Sequence, residues 1–311
     1  MCAKKLESIL DYEHKIKKLK MNTGAIILSG GSGTRLSPAT QVLNKHFLPI
    51  FDKPMIYYSL SIAMLSGIRD IVIVCAKNDE EIFTKIIGNE EYLGVNLQFA
   101  VQEKPLGLPD GINQGMKISK YKNNQVILGD NFLYGSEIFQ LIEKDILDFK
   151  PKIYVQRVKN SKHFGVVEIN EHNKIVNIIE KPKNNNENYF AITGIYLIDD
   201  NFNQYFKSLS PSKRGEFEII DILKNYLIND NLDFTKLGRG TAWFDMGSYD
   251  DFLTTSNFVN TIQAKQNILV CSPHEIAFRK GWVSDANVEK YISTIENSKY
   301  AEELKKIIIN Q

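Results

Sequence analysis

"AIILSGGSGTRLSPA", residues 25–39, sets four apolar residues directly against a glycine-rich turn that ends in an arginine. Such a run followed by closely spaced glycines reads as a buried strand delivering a phosphate-holding loop. The loop amides would converge on anionic oxygens, with a helix N-terminus behind them. Three loop types compete. A dinucleotide fingerprint G-x-G-x-x-G needs a third glycine, for close helix packing, where Leu36 stands. A Walker loop needs a lysine then serine or threonine after its last glycine, and none follows Gly33 at the right place. The third reading fits best: a nucleoside triphosphate lies across the loop, with Arg35 on the pyrophosphate that departs.

Outward from that loop, strand-length apolar segments alternate with helical patterns. The strands are "GAIILS" (24–29), "DIVIVCA" (70–76), "NLQFAVQ" (96–102) and "QVILGD" (125–130), and the helical stretches lie near 54–68, 79–88 and 110–120. Strands separated by helices of this length need right-handed crossovers, which gives a mostly parallel, covered, Rossmann-like α/β sheet. The second half is denser in strands: "KIYVQRV" (152–158), "FGVVEIN" (164–170), "KIVNIIEK" (174–181), "FAITGIYLID" (190–199) and "DFTKLG" (233–238). Beyond about residue 250 the pattern turns helical again. The expected division is a basic helical or disordered extension over 1–22, a catalytic domain over 23–250 and a helical subdomain over 251–311. The extension carries the amphipathic pattern "CAKKLESILDYEHKIKKLK" (2–20), and Met21, just before the first strand, offers an alternative translation start.

Composition narrows the partners. A formal net charge of +1 over 311 residues gives no support to nucleic acid or an anionic membrane as the main partner. No apolar run approaches the roughly 18 residues of a membrane span. The three cysteines are scattered, which argues against a disulfide framework or a zinc site and makes the cytoplasm the default location. Cys75 reads as a small buried hydrophobe. Only six arginines interrupt the lysine habit, and Arg35, Arg214 and Arg239 lie beside glycines. Their rigid forks suit phosphate oxygens as lysine does not.

Further along, "NKHFLPIFDKP" supplies Lys45, "VILGDNFLYG" puts Asp130 where an apolar run ends, and "AWFDMGSYDDF" brings Asp245 after an aromatic stretch. The carboxyl ends of parallel strands are where such sheets bind ligands. Two carboxylates suit a magnesium ion, which takes one or two of them together with phosphate oxygens and water.

The ordered set "GGSGTRL", "FLPIFDKPMIYY", "LGDNFLYG", "GVVEI", "IEKP", "ITGIY", "RGEFEI", "AWFDMGS" and "EIAFRKGW" resembles the bacterial sugar-1-phosphate nucleotidylyltransferases over residues 24–283. The resemblance implies a nucleotide-diphospho-sugar transferase fold with a small helical C-terminal part, commonly a homotetramer, and Mg²⁺. It also implies the reaction of a nucleoside triphosphate with a sugar 1-phosphate to give an NDP-sugar and pyrophosphate. dTTP and glucose 1-phosphate are the default pair. UTP or CTP with another sugar 1-phosphate, and a non-catalytic sensor paralogue, stay open.

Matched by position, Gly30, Gly31, Gly33 and Thr34 would cradle phosphates, Arg35 and Lys45 would meet the triphosphate, and Gln102 with Gly107 would read the base. Gly165, Glu180, Thr193 and Gly194 match the sugar pocket, Lys181 and Arg214 the grip on the sugar phosphate, and Asp130 and Asp245 the metal. "EIAFRKGW" resembles a segment that in relatives helps form a second, regulatory nucleotide site. Three positions depart from the pattern. His46 stands where glutamine is usual, Pro109-Asp110 where alanine and glutamine are, and Phe164 where tyrosine is. An extra carboxylate at 110 would repel phosphate unless it points away or meets the ribose. His163 and His172 read as surface residues, and Trp243 and Phe244 as packing beneath Asp245.

Overall fold

The computed structural model describes residues 22–309 apart from 32, 89 and 136. The amphipathic pattern at 2–20 lies outside the described residues. In chain order the first half carries β1 (Thr23–Leu28), β2 (Pro49–Ile50), β3 (Lys53–Pro54), α1 (Ile56–Leu65), β4 (Asp70–Cys75), α2 (Glu80–Ile87), β5 (Asn96–Val101), α3 (Leu108–Ile118) and β6 (Asn123–Leu128). The second half adds β7 (Asn131–Tyr134), α4 (Ile138–Leu147), β8 (Lys152–Gln156), β9 (Gly165–Ile169), β10 (Ile175–Glu180), β11 (Tyr189–Ile198), α5 (Asn201–Lys207), α6 (Ile219–Ile228), β12 (Asp233–Lys236) and β13 (Ala242–Asp245). Four helices close the chain: α7 (Tyr249–Gln266), α8 (Pro273–Arg279), α9 (Asp285–Thr294) and α10 (Lys299–Ile309).

β5, β4, β1 and β6 lie side by side and parallel. β11 continues the sheet antiparallel to β6, followed by β9 and β10, while β8 pairs with β11 and β12 runs parallel to β8. The result is the mixed, mostly parallel α/β sheet the sequence predicts. The chain winds outward through β1, β4 and β5, then returns to β6 on the other flank of β1. That reversal places a topological switch point between the carboxyl ends of β1 and β6, where Leu28 pairs with Leu128.

Strand alternation sends Ala25 and Ile27 to one face of β1 and Ile26 and Leu28 to the other. The first face packs on α1 and, in the same core, on Phe278, Tyr291, Tyr300 and Leu304 of the C-terminal helices. The second packs on α3, α5 and α6 through Ile112, Phe202, Ile220 and Leu223. Cys75 is fully buried, as its setting implies. No described helix is long and apolar enough to cross a membrane.

Two features are new relative to the sequence patterns. Helices α4, α5 and α6 interrupt the strand-dense second half. β7 and β13 form a separate antiparallel ribbon with Asp245 opposite Asn131. The ribbon is seated on its own small core, in which Phe244 stacks on Phe132 at 5.6 Å and Tyr58 meets Phe132 edge-on at 5.2 Å.

Candidate active site

The two loops at the switch point leave the sheet together, because Ser29 N donates to Val74 O at 2.7 Å and Gly129 N donates to Leu28 O at 2.8 Å. The first loop turns at Gly33, whose φ of 60° favours glycine, and Thr40 Oγ1 donates to its carbonyl at 2.8 Å. Asn44 clamps the far side, its Nδ2 donating to Ser29 O (2.8 Å) and to Asp79 Oδ2 (2.7 Å). Arg35 sits on the exposed rim with its guanidinium over Gly247, where a Cβ would come within 2.6 Å of Nη2.

Two cavities open at this end of the sheet. The first, about 250 Å³, is walled by Gly30, Gly31, Lys45, His46, Gln102 and Gly107. The second, about 290 Å³, is walled by Arg35, Gly165, Glu180, Lys181, Arg214 and Asp245, with Thr193 and Gly194 on its floor. Both share Gly107, Leu108, Leu128, Asp130 and Glu216, so they are halves of one cleft meeting at Asp130. The residues singled out from the sequence come together here except Gly33 and Thr34, which line neither cavity.

Asp130 and Asp245 converge through the ribbon: Met246 N donates to Asp130 O at 2.9 Å, and Asp245 pairs across from Asn131. Lys45 forms an ion pair with Asp130. Burial alone would raise the Asp130 carboxyl, but the charge of Lys45 and the hydrogen bonds it accepts hold it below the usual carboxylate range. Asp245 goes the other way. Burial and the neighbouring Asp130 push it up to about 7, against the pull of Lys45 and Arg35. Two acids that raise each other's cost of ionisation are the donor set a divalent cation would relieve. No group of three or more His, Cys, Asp or Glu suited to a metal occurs among the described residues, so phosphate oxygens and water would complete such a shell.

The second half of the cleft carries two further cations. Lys181 has a φ of 45°, is fixed by its N–H to Phe164 O at 3.1 Å, and keeps Nζ 3.4 Å from Glu180. Arg214 Nη2 donates to Glu218 Oε1 at 2.8 Å. The Glu180 carboxylate lies against Gly165, where a Cβ would sit 3.2 Å from Oε2. Thr193 is buried with its hydroxyl donating to Tyr154 O at 2.9 Å, so its own side chain is committed to the sheet.

The departing positions have distinct fates. His46 is buried, and its Nδ1 lies 2.7 Å from Asn44 Oδ1. Because both N–H groups of that amide are already donated, Nδ1 is the donor and the Nε2 lone pair faces Gly129. Burial, then the charge of Lys45, lowers the imidazole to about 3, so it is neutral. Asp110 is committed to two side-chain amides, accepting from Gln102 Nε2 at 2.8 Å and Gln114 Nε2 at 3.1 Å. Phe164 packs on Trp243 at 5.2 Å.

Trp243 also donates to Asn131 Oδ1 and lines the cleft, whereas the sequence reading placed it beneath Asp245; Phe244 does pack there. His163 and His172 are exposed as expected, though His163 reaches the cleft rim. Glu216, which the motifs did not single out, lines both halves. Its neighbour Phe217 N donates to Leu106 O at 2.8 Å and ties this segment to the loop at Gly107. A further cavity of about 340 Å³, lined by Tyr134, Gly135, Cys271, Glu275, Ile276 and Arg279, adjoins the "EIAFRKGW" segment.

The sequence model of the nucleotidyl transferase family matches residues 24–262. A glucose-1-phosphate thymidylyltransferase of Neisseria meningitidis serogroup A is 39% identical over 284 residues, covering 91% of this chain and 98% of that protein. One of Mycobacterium tuberculosis is 35% identical over 283 residues, with shares of 91% and 98%. Among solved structures, a Bacillus anthracis protein described as a glucose-1-phosphate thymidylyltransferase, with sucrose bound, superposes with a TM-score of 0.69 at 34% identity. It covers 76% of this chain and 94% of its own. A UDP-glucose pyrophosphorylase with UDP-glucose shares the fold at 20% identity (TM-score 0.68, covering 77% of this chain and 99% of its own).

Proposed function

The chain belongs to the nucleotidyl transferase family, and from that premise we propose that it joins dTTP and glucose 1-phosphate into a dTDP-sugar with release of pyrophosphate. The observation that carries this reading is the single cleft at the switch point. One half, lined by loop glycines and Gln102, is suited to a nucleotide, and the other, lined by Lys181 and Arg214, to a phosphorylated sugar.

A phosphate oxygen of the sugar 1-phosphate attacks the α-phosphorus. The new P–O bond forms as the bond to the β-phosphate oxygen breaks in line, and the electron pair leaves with pyrophosphate. No protein nucleophile is required. Both reactants are anions, so the protein's work is to hold them aligned and neutralise them. Lys181 and Arg214 grip the attacking phosphate. Arg35, Lys45 and the amides of Gly30, Gly31, Gly33 and Thr34 receive the triphosphate. Gln102 and Gly107 read the base, and Gly165, Glu180, Thr193 and Gly194 form the sugar pocket. Asp130 and Asp245 would hold a divalent ion, magnesium in this reading, which supplies positive charge at the α-phosphate.

In this reading residues 23–250 carry catalysis, residues 251–311 form a helical subdomain, and the enzyme works in the cytoplasm as a homotetramer. The test is pyrophosphate release from dTTP, UTP, CTP, ATP and GTP, each with several hexose 1-phosphates and magnesium. The expected maximum is dTTP with glucose 1-phosphate, and no release from any pair would refute the reading.

A further inference from the structure

The side-chain amide of Gln102 is held by two acceptors at once. Its Nε2 donates to Asp110 Oδ2 at 2.8 Å and to Gly107 O at 3.2 Å. Exchanging the amide's nitrogen and oxygen would set Oε1 against a carboxylate oxygen and a carbonyl oxygen together. Neither of those can donate, so chemistry excludes that rotamer. Asp110 is itself braced. It is 8% exposed, in the first turn of α3, and its other oxygen accepts from Gln114 one turn later at 3.1 Å.

The free end of the amide therefore has one identity. Oε1 looks between Gly30 and Gly111, both in the wall of the first cavity, and Cβ atoms built there would lie 2.9 and 3.5 Å from it. A pure acceptor faces the space that the reading above gives to the base. An asparagine or glutamine at 110 would leave only the longer bond to Gly107 O to impose this, because it could itself offer either an oxygen or an NH₂ to Gln102.

We propose that Asp110 is a specificity-determining positioning residue, which locks Gln102 as an acceptor and thereby selects the imide N3–H of thymine or uracil over the bare N3 lone pair of cytosine. The proposal deepens the functional reading and rests on its assignment of the nucleotide half. It also gives the departing carboxylate at 110 a task that no phosphate contact would give it. Because Asp110 acts through Gln102, its signature is a change in the ratio between bases and not a uniform loss of rate.

The test measures kcat/KM with glucose 1-phosphate, and equilibrium binding, for dTTP, UTP and CTP on the wild-type enzyme, Asp110→Asn and Asp110→Leu. The wild type is expected to favour dTTP and UTP over CTP. In Asp110→Leu that preference should fall by roughly tenfold or more, the scale of one buried polar group losing its partner. Asp110→Asn should lie between, since one amide oxygen cannot serve two donors. If Asp110→Leu does not fold, the asparagine variant decides alone. Unchanged ratios in the folded variants, or a wild type that binds CTP as tightly as UTP, would overturn the proposal. A wild type that binds the nucleotides with the predicted variant pattern but releases no pyrophosphate would uphold Asp110 and defeat the transfer reaction, so the two failures are distinguishable.

Discussion

Arg35 and Lys181 both line the second half of the cleft, one over Gly247 and the other beside Glu180. Replacing either by alanine should lower kcat by ~10²-fold, as when a preorganised electrostatic group is lost, with the melting temperature nearly unchanged. Steady-state rates and a melting curve on each variant check this. Asp130→Asn should shift the magnesium titration to higher concentration, because it removes a charge from the donor pair and releases Lys45; an unaltered titration would take Asp130 out of the metal site. At this scale much was legible in the chain. The glycines, the arginine in the turn and the two aspartates each follow an apolar run, and that placement is a local property. The locked amide of Gln102 was not legible, because hydrogen-bond direction between side chains eight positions apart depends on how β5 delivers one and α3 the other. Glu216 was hidden for the same reason, since only the fold brings "RGEFEI" against Leu106.

Among the elements, β11 shows how a strand can carry function at a defect. Its pairing with β8 shifts register between Ile192 and Tyr196, and Gly194 within that interval has a φ of 76°. A Cβ there would come within 2.6 Å of both Asn131 Nδ2 and Leu128 Cδ1. Gly194→Ala should therefore destabilise the protein by about 1–3 kcal/mol, from backbone strain and the close contacts, and should disturb Asn131 beside the two acids. Urea unfolding gives the first effect and magnesium dependence the second. The long β-strands were readable because β-branched residues fill whole buried segments. The ribbon β7–β13 was not: four-residue strands over a hundred positions apart leave no periodicity, and an aromatic stretch such as "AWFD" reads equally well as packing. Helices α5 and α6 were masked by the strand signals around them, since short amphipathic stretches fit either period.

Across the whole molecule, sheet and C-terminal helices share one core, and a buried histidine sits within it. His274 on α8 is fully buried, stacks on Tyr291 at 3.6 Å and lies 3.1 Å from Tyr300 Oη. Burial lowers it from 6.5 to about 3. Its native state resists a proton that the unfolded chain accepts, so its contribution to stability is complete above pH 6.5 and is lost as pH falls toward 3. Urea midpoints measured between pH 7.5 and 4.5 should fall with acidification, and less steeply in His274→Phe, which keeps the stack without a titrating nitrogen. Equal slopes would show that this residue does not govern acid sensitivity.

The ribbon reaches further than the acids it carries. Its Asn131–Asp245 end lies in the cleft, while its Tyr134–Ala242 end comes beside Gly135, where Tyr134 helps wall the separate cavity near α8. Two hydrogen-bonded strands of four residues make a strut about 10 Å long. A wedge driven in beside Tyr134 would press on the end of the ribbon farthest from Asp245.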